Sequence, residues 1–483
     1  MGDILISKKI EKNRKNIIEK FNNSSDLELY EFEGGKKKKF FISYIDGLID
    51  QDLLDRDVLG PIIDDFEDIK DLKKTIKVSS LKETNNIEEI IEEITYGSIG
   101  LFVDGTDLGY IIELRKWNKR SIEEPDAETV VRGPKEGFIE DLGSNRVLLR
   151  RKIRNENLVF EDYILGEQTN TKISLAYIVG IVNEDVLEEL RRRINKINID
   201  AILETGYIEQ LIDDRPYSFL TTIGDTQKPD VVAGRILEGR IAIFCDGTPH
   251  VLTIPKLFIE NIQTSEDYYT TSPYSTFLRI IRVFSLFISI VLPGFYVALQ
   301  TFHQEMVPTV LLITMAGARE GVPFPAMVEA LLMTIVLDVI KESGIRLPRS
   351  VGSAVSIVGA LVLGEAAVEA GLISAPMVII IATTAIAEFT VPTLVEGISI
   401  YRLIIIILGG VMGLYGITCG LVVIVVQIIS LDSFGIPYTS PMAPVDKEGL
   451  KDTVVRFPLK RLIFRPRSIE RRNITRQRDK GMK

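Results

Sequence analysis

Five carboxylates, Glu329, Asp338, Glu365, Glu369 and Glu388, lie inside the mostly apolar stretch between Val283 and Leu431. The basic residues of that stretch (Arg319, Lys341, Arg346, Arg349 and Arg402) fall at the ends of apolar segments. A carboxylate at bilayer depth costs roughly 2.5–3.5 kcal/mol on insertion scales, so it faces protein, a partner or water rather than lipid. With no buried Lys or Arg expected nearby in the same chain, these acids suggest a polar path or an oligomeric interior. The sign of the charge favours cations. Two of them stand on the segment 351–371, where Gly352, Ser356, Gly359, Leu363, Ala366 and Ala370 recur every three or four residues as a small-residue face. Close helix packing explains such a face without further function. A pore-lining helix explains it too: Ser356 supplies hydroxyls, Gly359 keeps the wall narrow, Val355 or Val362 forms a dewetting gate, and Glu365 or Glu369 gives a carboxylate ring.

The elements that must position these groups are apolar segments. Val283–Phe302 is long enough to cross ~30 Å of hydrocarbon, and Arg279 and Arg282 before it read as a cytoplasmic start. Met306–Ala318 and Phe324–Ile340 are short and separated by Pro323 and Pro325, the pattern of a re-entrant or discontinuous pair. Val351–Ser374 and Met377–Gly397 are full-length candidates. Leu403–Leu431, interrupted by Gly409, Gly410, Gly413, Gly416 and Gly420, reads as one tilted helix or as two short legs. That makes five or six segments, and a tail on the starting side requires an even number of crossings.

Charge divides the 483 residues in the same place. Residues 1–275 carry 37 Lys+Arg against 52 Asp+Glu, a net of −15. Residues 276–483 carry 20 against 15, a net of +5, which together give the overall −10. From Arg456 to the end there are 11 basic and 2 acidic residues, a tail suited to an anionic lipid surface rather than to nucleic acid. The N-terminus lacks the apolar core of a signal peptide, so the first region is expected in the cytoplasm. Cys245 and Cys419 make no disulfide framework, and His250 and His303 cannot build a multi-histidine metal site, so no metal or other cofactor is expected.

The soluble part is expected to be α/β. Residues 1–38 read as a polar, loosely ordered arm. Residues 39–148 and 149–275 then form two similar small subdomains, followed by an α-helical polytopic membrane domain over 276–435 and a basic tail over 436–483. Ile87, Ile90, Ile91 and Ile94 mark one face of a helix, and Asp104-Gly105 a hairpin. Ile236-Leu-Glu-Gly-Arg-Ile-Ala-Ile-Phe-Cys-Asp-Gly-Thr248 matches Ile94-Thr-Tyr-Gly-Ser-Ile-Gly-Leu-Phe-Val-Asp-Gly-Thr106 without a gap, and Tyr177-Ile-Val-Gly180 matches Tyr44-Ile-Asp-Gly47, as a duplication would. Between the modules, Arg132, Glu140, Asp141, Arg150 and Arg151 lie in a turn-rich, charge-alternating stretch and are candidates for a subunit contact. Glu266-Asp-Tyr-Tyr269 reads as the junction seating the soluble region on the membrane part. There is no phosphate loop, His-Glu-x-x-His or Gly-x-Ser-x-Gly elbow, which points away from an enzyme.

Taken together, these residues resemble the A subunits of spore germinant receptors, the GerA family of endospore-forming bacteria. The marks in the soluble part are Asp46-Gly-Leu-Ile49, Glu124-Pro125 with Val131-Arg-Gly-Pro134, Gly137-Phe-Ile-Glu-Asp141, Lys228-Pro-Asp230, Leu237-Glu-Gly-Arg-Ile241, Asp246-Gly-Thr-Pro249 and Glu266-Asp-Tyr-Tyr269. Those in the membrane part are Arg346-Leu-Pro348, Ser356-Ile-Val-Gly359 and Gly364-Glu-Ala-Ala-Val-Glu-Ala-Gly371. Two positions depart from the family pattern: Glu365 stands where a Gln is frequent, and Gln227-Lys228 where an Arg often precedes Pro-Asp. The resemblance implies a multi-pass protein of the spore inner membrane that oligomerises and releases ions, working with a transporter-like B subunit and a lipoprotein C subunit. The resemblance equally admits a stage V A-type paralogue that amplifies ion or dipicolinate release, and a non-conducting scaffold subunit is a further reading.

Overall fold

The computed structural model describes residues 5–69, 72–78, 80–116, 128, 130–346, 364–469 and 472–477. Its N-terminal half holds two antiparallel five-stranded sheets with the same strand order. In module 1, strands β1 (Leu27–Gly34), β2 (Lys38–Ile45), β3 (Leu81–Thr84), β4 (Ile99–Val103) and β5 (Gly109–Ile112) run β1-β2-β4-β5-β3. In module 2, β6 (Leu158–Leu165), β7 (Thr171–Ile178), β8 (Gly224–Thr226), β9 (Ile241–Cys245) and β10 (Val251–Ile254) run β6-β7-β9-β10-β8. Each module opens with a helix, α1 (Ile10–Lys20) or α3 (Leu142–Lys152), and carries another before its central hairpin, α2 (Ile87–Thr95) or α6 (Pro229–Ile236). Module 2 adds α4 (Glu184–Ile194) and α5 (Thr205–Ile212).

The likeness extends to single hydrogen bonds. Asn13 and Asn145 are both buried, and each trades two bonds with a backbone amide group six residues earlier: Asn13 with Ser7 (2.7 and 2.8 Å), Asn145 with Ile139 (2.6 and 2.9 Å). The hairpin aspartates do more than turn the chain. Asp104 Oδ1 accepts from Ile10 N and Asp246 Oδ1 from Leu142 N, both at 3.3 Å, while Gly105 N and Gly247 N donate to the carbonyls of Lys8 and Glu140. The last hairpin of each module thereby holds the N-terminus of its first helix, where a carboxylate satisfies free backbone donors.

Two expectations change here. Residues 5–34 are not a loose arm: Ile6, Ile10, Ile17 and Phe21 pack against the Ile87–Ile94 stripe, Phe41 and Phe102 in the core. The apolar face of α1 is narrow and surrounded by Lys, Glu and Asn, so average polarity hides it. The boundary expected after residue 148 falls inside α3, the first helix of module 2.

The C-terminal half is helical. α7 (Ser272–Thr301) is long and apolar enough to cross a membrane, and so, by length and composition, is the stretch Pro392–Ile429. Between them lie α8 (Thr309–Gly317), α9 (Ala326–Arg346) and α10 (Ala375–Glu388). The full-length segment expected over Met377–Gly397 is divided, because α10 ends at Glu388, before Pro392, and α11 (Val395–Ile429) begins afterwards. α11 reverses at Gly413, whose φ of 60° and ψ of −146° suit glycine alone. Residues 408 and 420 of a straight helix would stand ~18 Å apart, yet a Cβ on Gly420 would lie 2.6 Å from the Leu408 side chain. Of the two readings of Leu403–Leu431, the two short legs are the ones formed. Gly294 of α7 and Gly409 of α11 meet backbone to backbone, the close approach that small residues allow.

A Cβ at residue 413 would sit 2.9 Å from His303 Nε2 and 3.0 Å from Phe302 Cβ. Gly413→Ala is expected to cost about 1–3 kcal/mol of stability, read as a lower melting temperature of the detergent-solubilised chain, whereas Gly317→Ala, with open space around it, leaves the melt unchanged.

Beyond Leu431 the chain returns to module 2. Ser433 Oγ donates to Thr222 O (2.7 Å) and accepts from Lys256 N (3.2 Å), Phe434 N donates to Asp214 Oδ2 (2.8 Å), and Phe258 N donates to Tyr438 O (2.7 Å). The basic tail is docked as far as it is described. Ile469 is fully buried in the module 2 core, Asn183 Nδ2 donates to its carbonyl (2.5 Å), and Arg465 Nε donates to Leu237 O (2.8 Å).

Candidate functional site in the helical region

Two of the five carboxylates meet where α9, α10 and α11 pack, and a third is buried at the start of α9, each with a basic partner. Glu388, at the end of α10, is buried and accepts from Arg402 Nη1 (2.7 Å) and Lys341 Nζ (2.6 Å). Arg402 Nη2 also donates to Asp338 Oδ1 at 3.0 Å. Glu329, in the first turn of α9, is fully buried; its Oε1 accepts from the backbone N (2.5 Å) and hydroxyl of Ser374, and its Oε2 stands 3.6 Å from Arg319 Nε. The expectation that no buried base serves these acids is therefore corrected. Arg402 is fully buried because α11 starts at Val395, eight residues earlier than the apolar run alone suggests, and so carries Arg402 inside the packed helices. Lys341 lies within α9 rather than beyond it.

Glu365 and Glu369 differ from these three. They lie on a short helical stretch, 364–369, and both are exposed. Ser356, Gly359 and Val362 lie outside the described residues, as does Val355.

At the root of α7 a polar collar ties the helix to both halves of the molecule. Arg279, fully buried, donates to Asp267 Oδ2 (2.9 Å), Asp452 Oδ1 (2.9 Å) and Thr453 O (2.6 Å), and Arg282 Nη1 donates to both Asp267 oxygens at 2.9 Å. Tyr268 Oη donates to Asp452 Oδ2 at 2.8 Å. The Glu266–Tyr269 junction thus clamps α7 between module 2 and the returning chain. The partner of Arg279 at position 452 is 173 residues away in sequence, so no local pattern announces it.

The soluble candidates separate in the same way. Arg150 is not a surface contact: it is fully buried, and its Nε and Nη2 donate to the two oxygens of Asp26 at 2.8 Å each, with Nη2 also bonded to Ser24 Oγ (3.1 Å). It joins the second module to the first. Asp141 caps α3, its Oδ2 accepting from Ser144 N at 2.6 Å, and Glu140 offers its carbonyl to Gly247. Arg151 stands 3.4 Å from Glu136, and the backbone N of exposed Arg132 donates to Glu266 Oε1 at 3.2 Å.

A duplicated α/β region, an apolar helical unit and a clamp between them define a two-part protein whose soluble half is anchored to apolar helices. The sequence profile described as "Bacillus/Clostridium GerA spore germination protein" matches residues 15–468. The chain is 44% identical to spore germination protein KA of Bacillus subtilis, over 98% of this chain and 89% of that protein. It is 36% identical to spore germination protein GerLA of Bacillus cereus, over 95% and 96%. A solved N-terminal domain of the A subunit of the Bacillus megaterium spore germinant receptor GerK3 is 33% identical, covering 53% of this chain and 99% of that one, with a TM-score of 0.42. The chain belongs to the GerA family of spore germination proteins.

Proposed function

We propose that this chain is the A subunit of a spore germinant receptor, an oligomeric multi-pass protein of the spore inner membrane that turns nutrient sensing into release of monovalent cations. Family membership supports the receptor role, and relatives named as germination proteins match over nearly their whole length. The cation path rests on one observation. Glu329, Asp338 and Glu388 are neutralised by basic partners, whereas Glu365 and Glu369 face outward beside the small-residue segment. Exposed carboxylates on an apolar helical unit need a second copy or water against them, and a ring of copies supplies both. A transporter-like B subunit and a lipoprotein C subunit complete the receptor. The soluble modules and the tail share the cytoplasmic side, a reading supported by their direct packing on one another.

In liposomes, the purified oligomer is expected to pass K+ and Na+. Glu365→Gln or Val362→Ala alters that current several-fold while the oligomer keeps its size on gel filtration. No current from an oligomer of verified size would sink the conducting reading. The internal pairing of three carboxylates would then favour a scaffold subunit that carries the signal without conducting.

A further inference from the structure

Module 2 carries an apolar edge that no described residue covers. Tyr207 and Leu211, one turn apart on α5, and Tyr217 and Phe219 in the loop after it are all exposed, Tyr217 to 95%. Across 215–220 (Arg-Pro-Tyr-Ser-Phe-Leu) the one charge is Arg215, itself exposed. The two acids before it are used within the fold: Asp213 accepts from the Thr222 hydroxyl (2.5 Å), and Asp214 accepts from Phe434 N (2.8 Å) and pairs with Arg193 (2.5 Å). Apolar side chains gathered on a protein surface mark a partner or a membrane.

The position of this edge decides between them. Leu220 packs with Leu394, Ile398 and Tyr401 around the start of α11 and, with Leu286 and Ile290 of α7, lines an apolar gap of about 30 Å³. Arg282 is the last charge before the apolar run of α7, and Leu286 lies one turn, ~6 Å, further along the helix. The loop therefore reaches past the polar collar to the level where α7 is purely apolar. A Cβ on Gly397 would lie 2.9 Å from Phe219 O, and the Phe219 ring meets Tyr401 edge-on, with centroids 5.9 Å apart. From Tyr401 an exposed apolar surface continues along α11 through Ile404 and Ile407. α5 stands at the same end of the helices. Burial pushes its Glu209 carboxyl up to about 7, with Lys256 pulling it down and Glu396, in the first turn of α11, among the charges that raise it.

We propose that this edge, loop 215–220 with the outer face of α5, lies in the headgroup–acyl boundary of the bilayer. The inference rests on the reading of α7 and α11 as membrane helices. Aromatic side chains with one polar end concentrate at that boundary. Interfacial apolar faces sink ~5–10 Å into it, and the loop overshoots Arg282 by a comparable ~6 Å. Arg215 keeps its guanidinium among the phosphates while its stem lies along the apolar layer. A second copy or another protein would cover the same side chains, but neither calls for them at the depth of the apolar run of α7. Module 2 is thereby held to the bilayer directly and not through the collar alone.

The test uses the full-length chain in phosphatidylcholine nanodiscs, with single nitroxide labels on a Cys419→Ser background, since Cys245 is buried. Labels go at Tyr217→Cys and Leu211→Cys on the edge, at Ile164→Cys on an exposed strand of module 2, and at Val423→Cys on the exposed side of α11. Collisions with oxygen, which enters hydrocarbon, are compared with collisions with a water-soluble nickel chelate. Positions 217 and 211 are expected to favour oxygen about threefold or more over position 164, and less than position 423, as a boundary depth of ~5–10 Å requires. A chelate-favoured reading at 217 or 211, with 423 in hydrocarbon, overturns the inference and leaves the membrane helices standing. A chelate-favoured reading at 423 sinks both. Shielding of 217 from both reagents overturns the inference in favour of a protein occupant, and spin–spin broadening there identifies it as a second copy.

Discussion

Arg402→Met is expected to destabilise the chain by about 3 kcal/mol, because removing one member of a buried ionic group leaves its counter-charges uncompensated. Glu388 retains Lys341, but Asp338 loses its 3.0 Å partner and keeps only a 3.9 Å approach from Lys341. The double variant Arg402→Met, Glu388→Met is expected to melt closer to wild type than the single one, since an apolar pair of similar volume avoids the desolvation of both charges. A thermal melt of both variants in detergent checks this. If the double variant is the less stable, the network owes its worth to its hydrogen bonds rather than to charge compensation.

The second large effect is at the seam between the modules. Burial raises the Asp26 carboxyl, but the Arg150 guanidinium beside it outweighs burial, and the group is held below the usual carboxylate range. A depressed carboxylate stabilises the fold fully above its unfolded value of ~3.9, and the contribution is lost as pH falls through the lower folded value. Arg150→Met is expected to cost about 3–5 kcal/mol near neutral pH. It also reverses the acid dependence: with the guanidinium gone, burial, the largest influence on Asp26, is opposed only by the Ser24 hydroxyl and Arg146, so the carboxyl rises and the variant gains stability as acidification protonates it. Urea melts of the full chain between pH 3 and 7 read both the size and the sign.

How much of this was legible depended on distance along the chain. The α2 stripe was readable because its period is carried by four isoleucines within eight residues, and all four are buried. The duplication was readable because an ungapped block holds the first strand of the β-hairpin and its glycine turn. The N-terminal helix was missed for a local reason, its apolar positions being outnumbered by charges, although the spacing of Ile10, Ile17 and Phe21 carried the signal. The roles of Arg150, Arg279 and Arg402 had no comparable signal. Each is defined by a partner between 12 and 173 residues away, and a single arginine in sequence looks the same whether it ends a helix at the surface or is sealed among carboxylates. For the carboxylates, type and depth were readable; whether a base answered them was a matter of tertiary packing.

The docking of Ile469 has a consequence for biosynthesis. Module 2 is translated before any of the apolar helices, yet one of its core side chains belongs to a residue made after all of them. While the helices are being inserted, the slot for Ile469 and the seats of Phe434 and Ile436 stand open, an apolar surface on a half-made protein. Module 2 is thus sealed only by a segment that leaves the ribosome after the described apolar helices.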